Sequence, residues 1–170
     1  CMPHTVAVAV DGMEPSLLDR WIDAGKLPNF AAVYREVAYG HAECSSLSSA
    51  EQWSTHFTGV SPDEHGVTGF LKADRKRRAG EPAPDARELI NLSDIRVKTY
   101  PELLSEAGHQ VGLINPLPLW PPLELDGGFC VSGMLTPPTS DRLVQPPDLE
   151  AELNAVNYRI DVRYGNRPYG

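Results

Sequence analysis

Apolar residues along this chain of 170 residues recur in two patterns. HTVAVAV, His4–Val10, is a short run of β-branched residues and alanine that ends at Asp11-Gly12, which predicts a buried strand closed by a turn. EPSLLDRWIDAGK then places Leu17, Leu18, Trp21 and Ile22 on one helical face, with Pro15 suited to the first turn and Gly25 to the stop. After Pro28, Phe30, Val33, Tyr34 and Val37 repeat at helical spacing until Gly40, and a second short strand is expected around 39–44. A third helix, 50–58, carries Trp53 and Phe57 four residues apart. TYPELLSEAGH reads as a helix with Thr99 as N-cap and Gly108 as stop. VGLIN (111–115) and GFCVSG (128–133) read as strands, DLEAELNAV as a helix with Leu149, Leu153 and Val156 on one face, and YRIDV as a last strand. Strands alternating with helices predict an α/β fold, a mostly parallel sheet flanked by helices.

Between these elements, residues 71–98 begin with LKADRKRRAGEPAPDARELINL, charged, proline-containing and weakly periodic, and are expected to form a surface loop or cap segment. Five basic residues crowd into the seven of KADRKRR, the composition of a solvated loop or of a lip that steers phosphate. The chain as a whole is acidic, with a formal charge of −8, which argues against a nucleic-acid polymer as partner. A small anionic substrate stays compatible, because a metal ion supplies positive charge locally. Cys1, Cys44 and Cys130 are odd in number and scattered, a usage that fits reduced thiols and a cytoplasmic setting. No apolar run approaches the ~20 residues of a membrane helix.

Two features carry candidate chemistry. Asp11 follows the first predicted strand, the end of an open parallel sheet at which ligands gather, and its carboxylate suits a hard or borderline cation. An Asp-Gly turn explains the same residue without chemistry. The second feature is SSAEQWSTHFTGVSPDEHG, Ser48–Gly66. Ser49-Ala-Glu-Gln52 fits a capping box, which accounts for a serine there structurally. A helix N-terminus equally presents free amides and positive dipole to an anion, where a serine could attack it once activated by a base or metal. Capping alone leaves both readings open. Trp21 and Trp53 lie on apolar faces and are expected in the core; Glu51 is expected to face solvent.

The ordered set decides between them. VAVDGMEPSLLDRWIDAGKLPNF followed by SSAEQWSTHFTGVSPDEHGVTGF resembles the type I phosphodiesterase/nucleotide pyrophosphatase branch of the alkaline phosphatase superfamily, and INPLPLWPP, VSGMLTPPTSD and YRIDV extend the resemblance over nearly the whole chain. It implies an alkaline phosphatase-like fold of which residues 1–170 form the N-terminal part. It implies a metal-dependent hydrolase of phosphate esters, acting on a small phosphorylated or nucleotide substrate through a phosphoseryl intermediate. Two divalent metal ions are implied, zinc first, with manganese or magnesium as alternatives.

Carried over residue by residue, Asp11 matches the first metal ligand. The nucleophile stands ten residues before the glycine of the Thr-Gly pair, which from Gly59 gives Ser49, itself also a metal ligand, with Ser48 as the alternative. Thr58, Gly59, His65 and Gly66 match positions of architectural role, His65 as a turn histidine bonded to backbone. Where several nucleotide pyrophosphatases have an asparagine that holds a phosphoryl oxygen, this chain has Phe70, so Lys72 or a backbone amide at the start of the helix (Ser49 or Ala50) is the expected substitute. The superfamily's later Asp and His ligands have no counterpart after Ser49; His4, His41, His56 and His109 match none of them. A phosphomutase, or a catalytically silent module that binds a phosphorylated ligand, are the alternative functions.

Overall fold

A computed structural model of the chain describes residues 5–38, 40, 42–43, 46–72, 79–80, 88–137 and 140–160. The chain divides into two compact units, Cys1–Ser45 and Ser46–Gly170.

The first unit is built on two helices. Helix α1, Pro15–Asp23, starts where the Glu14 carboxylate accepts a hydrogen bond from the Leu17 amide at 2.9 Å, with Pro15 in the first turn. Helix α2, Pro28–Glu36, again opens on a proline. Leu18 is buried, whereas Trp21 is 40% exposed rather than sunk in a core as its helical face suggested. Of the strand expected at His4–Val10, His4 lies outside the described residues and 5–10 carry no element, with Val6, Val8 and Val10 exposed. Strand geometry depends on a partner for the backbone amides and carbonyls, and the described residues of this unit hold no second strand to provide one. Of the strand expected at 39–44, residues 39, 41 and 44 lie outside the described residues, and 40, 42 and 43 are not strand.

The second unit holds helix α3 (Ser49–Thr58), helix α4 (Pro62–His65), a 3-10 turn at Leu92–Asp94, helix α5 (Tyr100–Glu106), strands β1 (Gly112–Ile114), β2 (Phe129–Val131) and β3 (Val144–Gln145), a 3-10 turn at Pro147–Leu149 and helix α6 (Glu150–Ala155). The sheet is small and mixed rather than mostly parallel: β1 runs parallel to β2 with Gly112 opposite Phe129, while β3 pairs antiparallel with Val144 opposite Val131. Gly112 is required there, since a Cβ would stand 2.5 Å from the Phe129 ring. Strand β3 is two residues long and proline-flanked, too short to announce itself by alternation. YRIDV is not a strand at 158–160, and residues 161 and 162 lie outside the described residues.

Capping chemistry places α5 as the sequence suggested, with the Glu102 carboxylate accepting from the Thr99 amide at 2.8 Å and from its hydroxyl at 2.7 Å. The main core gathers Phe57, Leu119, Leu123, Leu125 and Cys130, with Trp53 and Tyr100 packed against it. A smaller cluster of Ala50, Val67 and Ile90 lies beneath the start of α3, flanked by Phe70, Ile95 and Leu135. Among the described residues no helix is long and apolar enough to cross a membrane.

Leu119 is fully buried in the main core, so Leu119→Ala removes packed methyl groups and leaves a cavity. It is expected to cost about 2–5 kcal/mol in urea unfolding, against less than ~0.5 kcal/mol for the surface change Glu124→Gln.

Candidate functional site

Asp11 stands in the first unit, exposed, in the Asp-Gly turn with Gly12 at φ 68°. Ser49, Ala50 and Lys72 stand in the second unit.

Helix α3 does not begin as a capping box. Its N-cap is Ser48 rather than Ser49, and the Gln52 side chain, instead of reaching back to the N-cap amide, donates to the Ser46 carbonyl. Ser46 turns the chain into the helix, its hydroxyl accepting from the Ser48 amide at 3.0 Å. Ser49 is therefore the first helical residue. The Ser48 hydroxyl is buried, makes no hydrogen bond and caps nothing. The N-cap serine thus makes no side-chain cap at the N-terminus of α3, an end that carries partial positive charge. Ala50 next to it is fully buried, which fixes the first turn against Val67 and Ile90.

The remaining hydroxyls of α3 serve the helix and its neighbours. Ser54 donates to the Ala50 carbonyl and Thr58 to the Ser54 carbonyl, both at 2.7 Å. Gly59 closes the helix in the left-handed region at φ 69°. Thr55 Oγ1 lies 2.9 Å from His65 Nε2. His65 Nδ1 accepts from the Val67 amide at 3.2 Å, so Nδ1 carries no proton and Nε2–H donates to Thr55. The backbone bond expected of this turn histidine is present, and the tie to α3 comes in addition. Burial holds the imidazole below the ordinary histidine value, against the opposing field of Glu51. Glu51 is thus half-buried and electrically close to His65 rather than simply solvent-facing.

Arg96 completes this corner. Its amide donates to the His65 carbonyl at 3.2 Å, and its guanidinium covers Gly66, where a Cβ would stand 2.7 Å from Nε. Gly66, at φ 85°, is therefore fixed by both backbone conformation and space. The helix periodicity puts Glu51 and Thr55 on one face, a signal readable in the sequence. Nothing in the sequence points to Arg96.

Lys72 sits on a short ladder in which its amide donates to the Glu88 carbonyl at 2.7 Å and Ile90 donates to Phe70 at 3.0 Å. Its ammonium pairs with Glu88 at 2.5 Å and lies 3.8 Å from Asp94, so an incoming phosphate would compete with two carboxylates. Phe70, in place of an amide donor, packs against the Ala50 cluster. His56 meets the rings of Trp53 and Tyr100 edge-on at 5.6 and 5.7 Å, a packing role. Burial pushes the Cys130 thiol up to about 11, so it is protonated and unreactive at neutral pH.

Among the described residues no group of three or more His, Cys, Asp or Glu side chains could hold a metal ion. The Asp11 carboxylate in the first unit and the Ser49 hydroxyl in the second are each an oxygen donor of the kind divalent cations accept, and neither alone is the donor set an ion needs. These residues do not make a complete metal site.

A family model described as Type I phosphodiesterase / nucleotide pyrophosphatase matches residues 5–162. The chain belongs to that family, whose activity is hydrolysis of the phosphodiesterase and pyrophosphatase type. No curated protein and no solved structure matches it.

The neutral His65 gives a signed pH dependence. Its pKa is lowered in the folded state, so its contribution to stability is complete above the unfolded value of 6.5 and is lost as pH falls through the lower folded value. Urea midpoints measured between pH 8 and pH 4.5 are expected to decline on the acid side of 6.5, with a shallower decline in His65→Gln. Equal slopes in the two proteins would remove His65 from that role.

Proposed function

We propose that this chain belongs to a metal-dependent phosphodiesterase or nucleotide pyrophosphatase in which Ser49 attacks phosphorus and forms a phosphoseryl intermediate. What supports the reading most is the start of α3: Ser49 is its first residue, and the side chain of the N-cap, Ser48, makes no cap bond there. A phosphoryl oxygen brought to this end would meet the positive end of the helix dipole, and the Ala50 amide is proposed as a donor to it once the substrate opens the turn over this buried residue. Negative charge that builds on phosphorus during attack is stabilised by the same donors. Ser49 is favoured over Ser48 because it stands ten residues before Gly59, the place that the resemblance gives to the nucleophile.

Asp11 and Ser49 are proposed as residues that would hold divalent metal, two ions with zinc first. Such an ion would supply the positive charge that turns an alcohol into an effective nucleophile. Lys72, released from Glu88, is proposed to take the phosphoryl contact that Phe70 cannot make. The substrate class is a small phosphorylated or nucleotide ester, and the buried, reduced thiol of Cys130 supports a cytoplasmic setting.

In the full-length protein supplied with zinc, Ser49→Ala is expected to lower kcat on bis-p-nitrophenyl phosphate by at least ~1000-fold, while Ser48→Ala leaves it within about tenfold. Full turnover in Ser49→Ala would contradict the nucleophile assignment.

A further inference from the structure

We propose that His65 is a positioning residue for the first turn of α3, holding that turn by its two ring nitrogens at once, and that only the neutral ring can do so. The inference rests on the reading of Ser49 given above for its catalytic consequence, but its structural half stands without it. One nitrogen grips the helix: Nε2–H donates to Thr55 Oγ1. The other grips the segment beneath it: Nδ1 accepts from the amide of Val67, whose side chain lies in one buried cluster with Ala50 and Ile90. Ala50 adjoins Ser49. The route from the imidazole to the serine therefore runs through one backbone hydrogen bond and one packed cluster, besides the six helical residues, about 9 Å, from Thr55 back to Ser49.

The ring and the amide it holds have no room to rearrange. His65 and Val67 are fully buried, and the turn behind them is fixed by Gly66 under the Arg96 guanidinium. A proton added at Nδ1 would face the Val67 N–H, donor against donor, away from water. One of the two ties must then open. The charged groups around the ring are Glu51 from α3, the Arg96 guanidinium from the segment after the Leu92–Asp94 turn, and exposed Asp63 and Glu64 on α4 itself. Glu51 alone of those on α3 favours the proton, and it sits within the first turn that would loosen.

The experiment uses the full-length protein with zinc and bis-p-nitrophenyl phosphate, comparing wild type, Thr55→Ser, Thr55→Val and His65→Gln. Thr55→Val is expected to lower kcat roughly 10- to 100-fold with KM within about twofold, and Thr55→Ser to restore it. Amide hydrogen exchange across 50–58 supplies a readout independent of turnover. Corrected for intrinsic rates, it should rise about tenfold in Thr55→Val, and in wild type once the pH falls far enough to protonate the ring, below the ordinary histidine range, but stay level with pH in His65→Gln. Unchanged exchange in Thr55→Val, or a loss confined to KM, would overturn the proposal. Should Ser49→Ala retain turnover, the nucleophile reading fails, and the exchange data still decide the role of His65.

Discussion

A buried imidazole with both nitrogens occupied ties the middle of α3 to the turn that follows it. Thr55 takes the proton of Nε2, Val67 gives its amide to Nδ1, and the Arg96 amide secures the carbonyl of the same residue. The bond that Nδ1 accepts demands the neutral Nε2–H form, so the local fold and the protonation state specify each other. Without that constraint, the start of α3 is held by the packing of Ala50 against Val67 and Ile90.

What α3 presents from this fixed position is an N-terminus left without a side-chain cap. A serine that caps a helix is usually worth about 1 kcal/mol, and Ser48 occupies the capping position without making the bond. Stability is given up at the one end of the helix where an anion would restore it. Ser46 and Gln52 meanwhile hold the entering chain, so the uncapped end is held rather than frayed. A helix start held by Ser46 and Gln52, with an N-cap serine that makes no cap bond, suits phosphoryl chemistry, where preorganised donors matter more than their number.

Helix signals in the sequence were largely legible because they are local. Pro15, Pro28 and Thr99 sit where the helices begin, and the Thr99–Glu102 pair bonds as its spacing suggests. Strands were read less well, since a strand is defined by a partner the sequence does not name. HTVAVAV has a strand's composition and no strand's pairing, while the two residues of β3 pair without any alternation to mark them. At the site, Thr-Gly and His-Gly were readable as turns because left-handed Gly59 and Gly66 leave a signature. The capping box at Ser49 misled by one residue: Ser48 offers the same chemistry one position earlier, and Gln52 found a carbonyl six residues back. Arg96 lies thirty residues past Gly66 with no motif to mark it, and only packing reveals it.

Membership of the Type I phosphodiesterase / nucleotide pyrophosphatase family sets the reaction class, and the start of α3 is the place we propose for it. The direct measurement is mass spectrometry of the full-length protein, acid-quenched during turnover of a phosphodiester with zinc present. A phosphate adduct localised to Ser49 is the expected result. An adduct on Ser48 or any other residue, or turnover with no covalent phosphate at all, would contradict it.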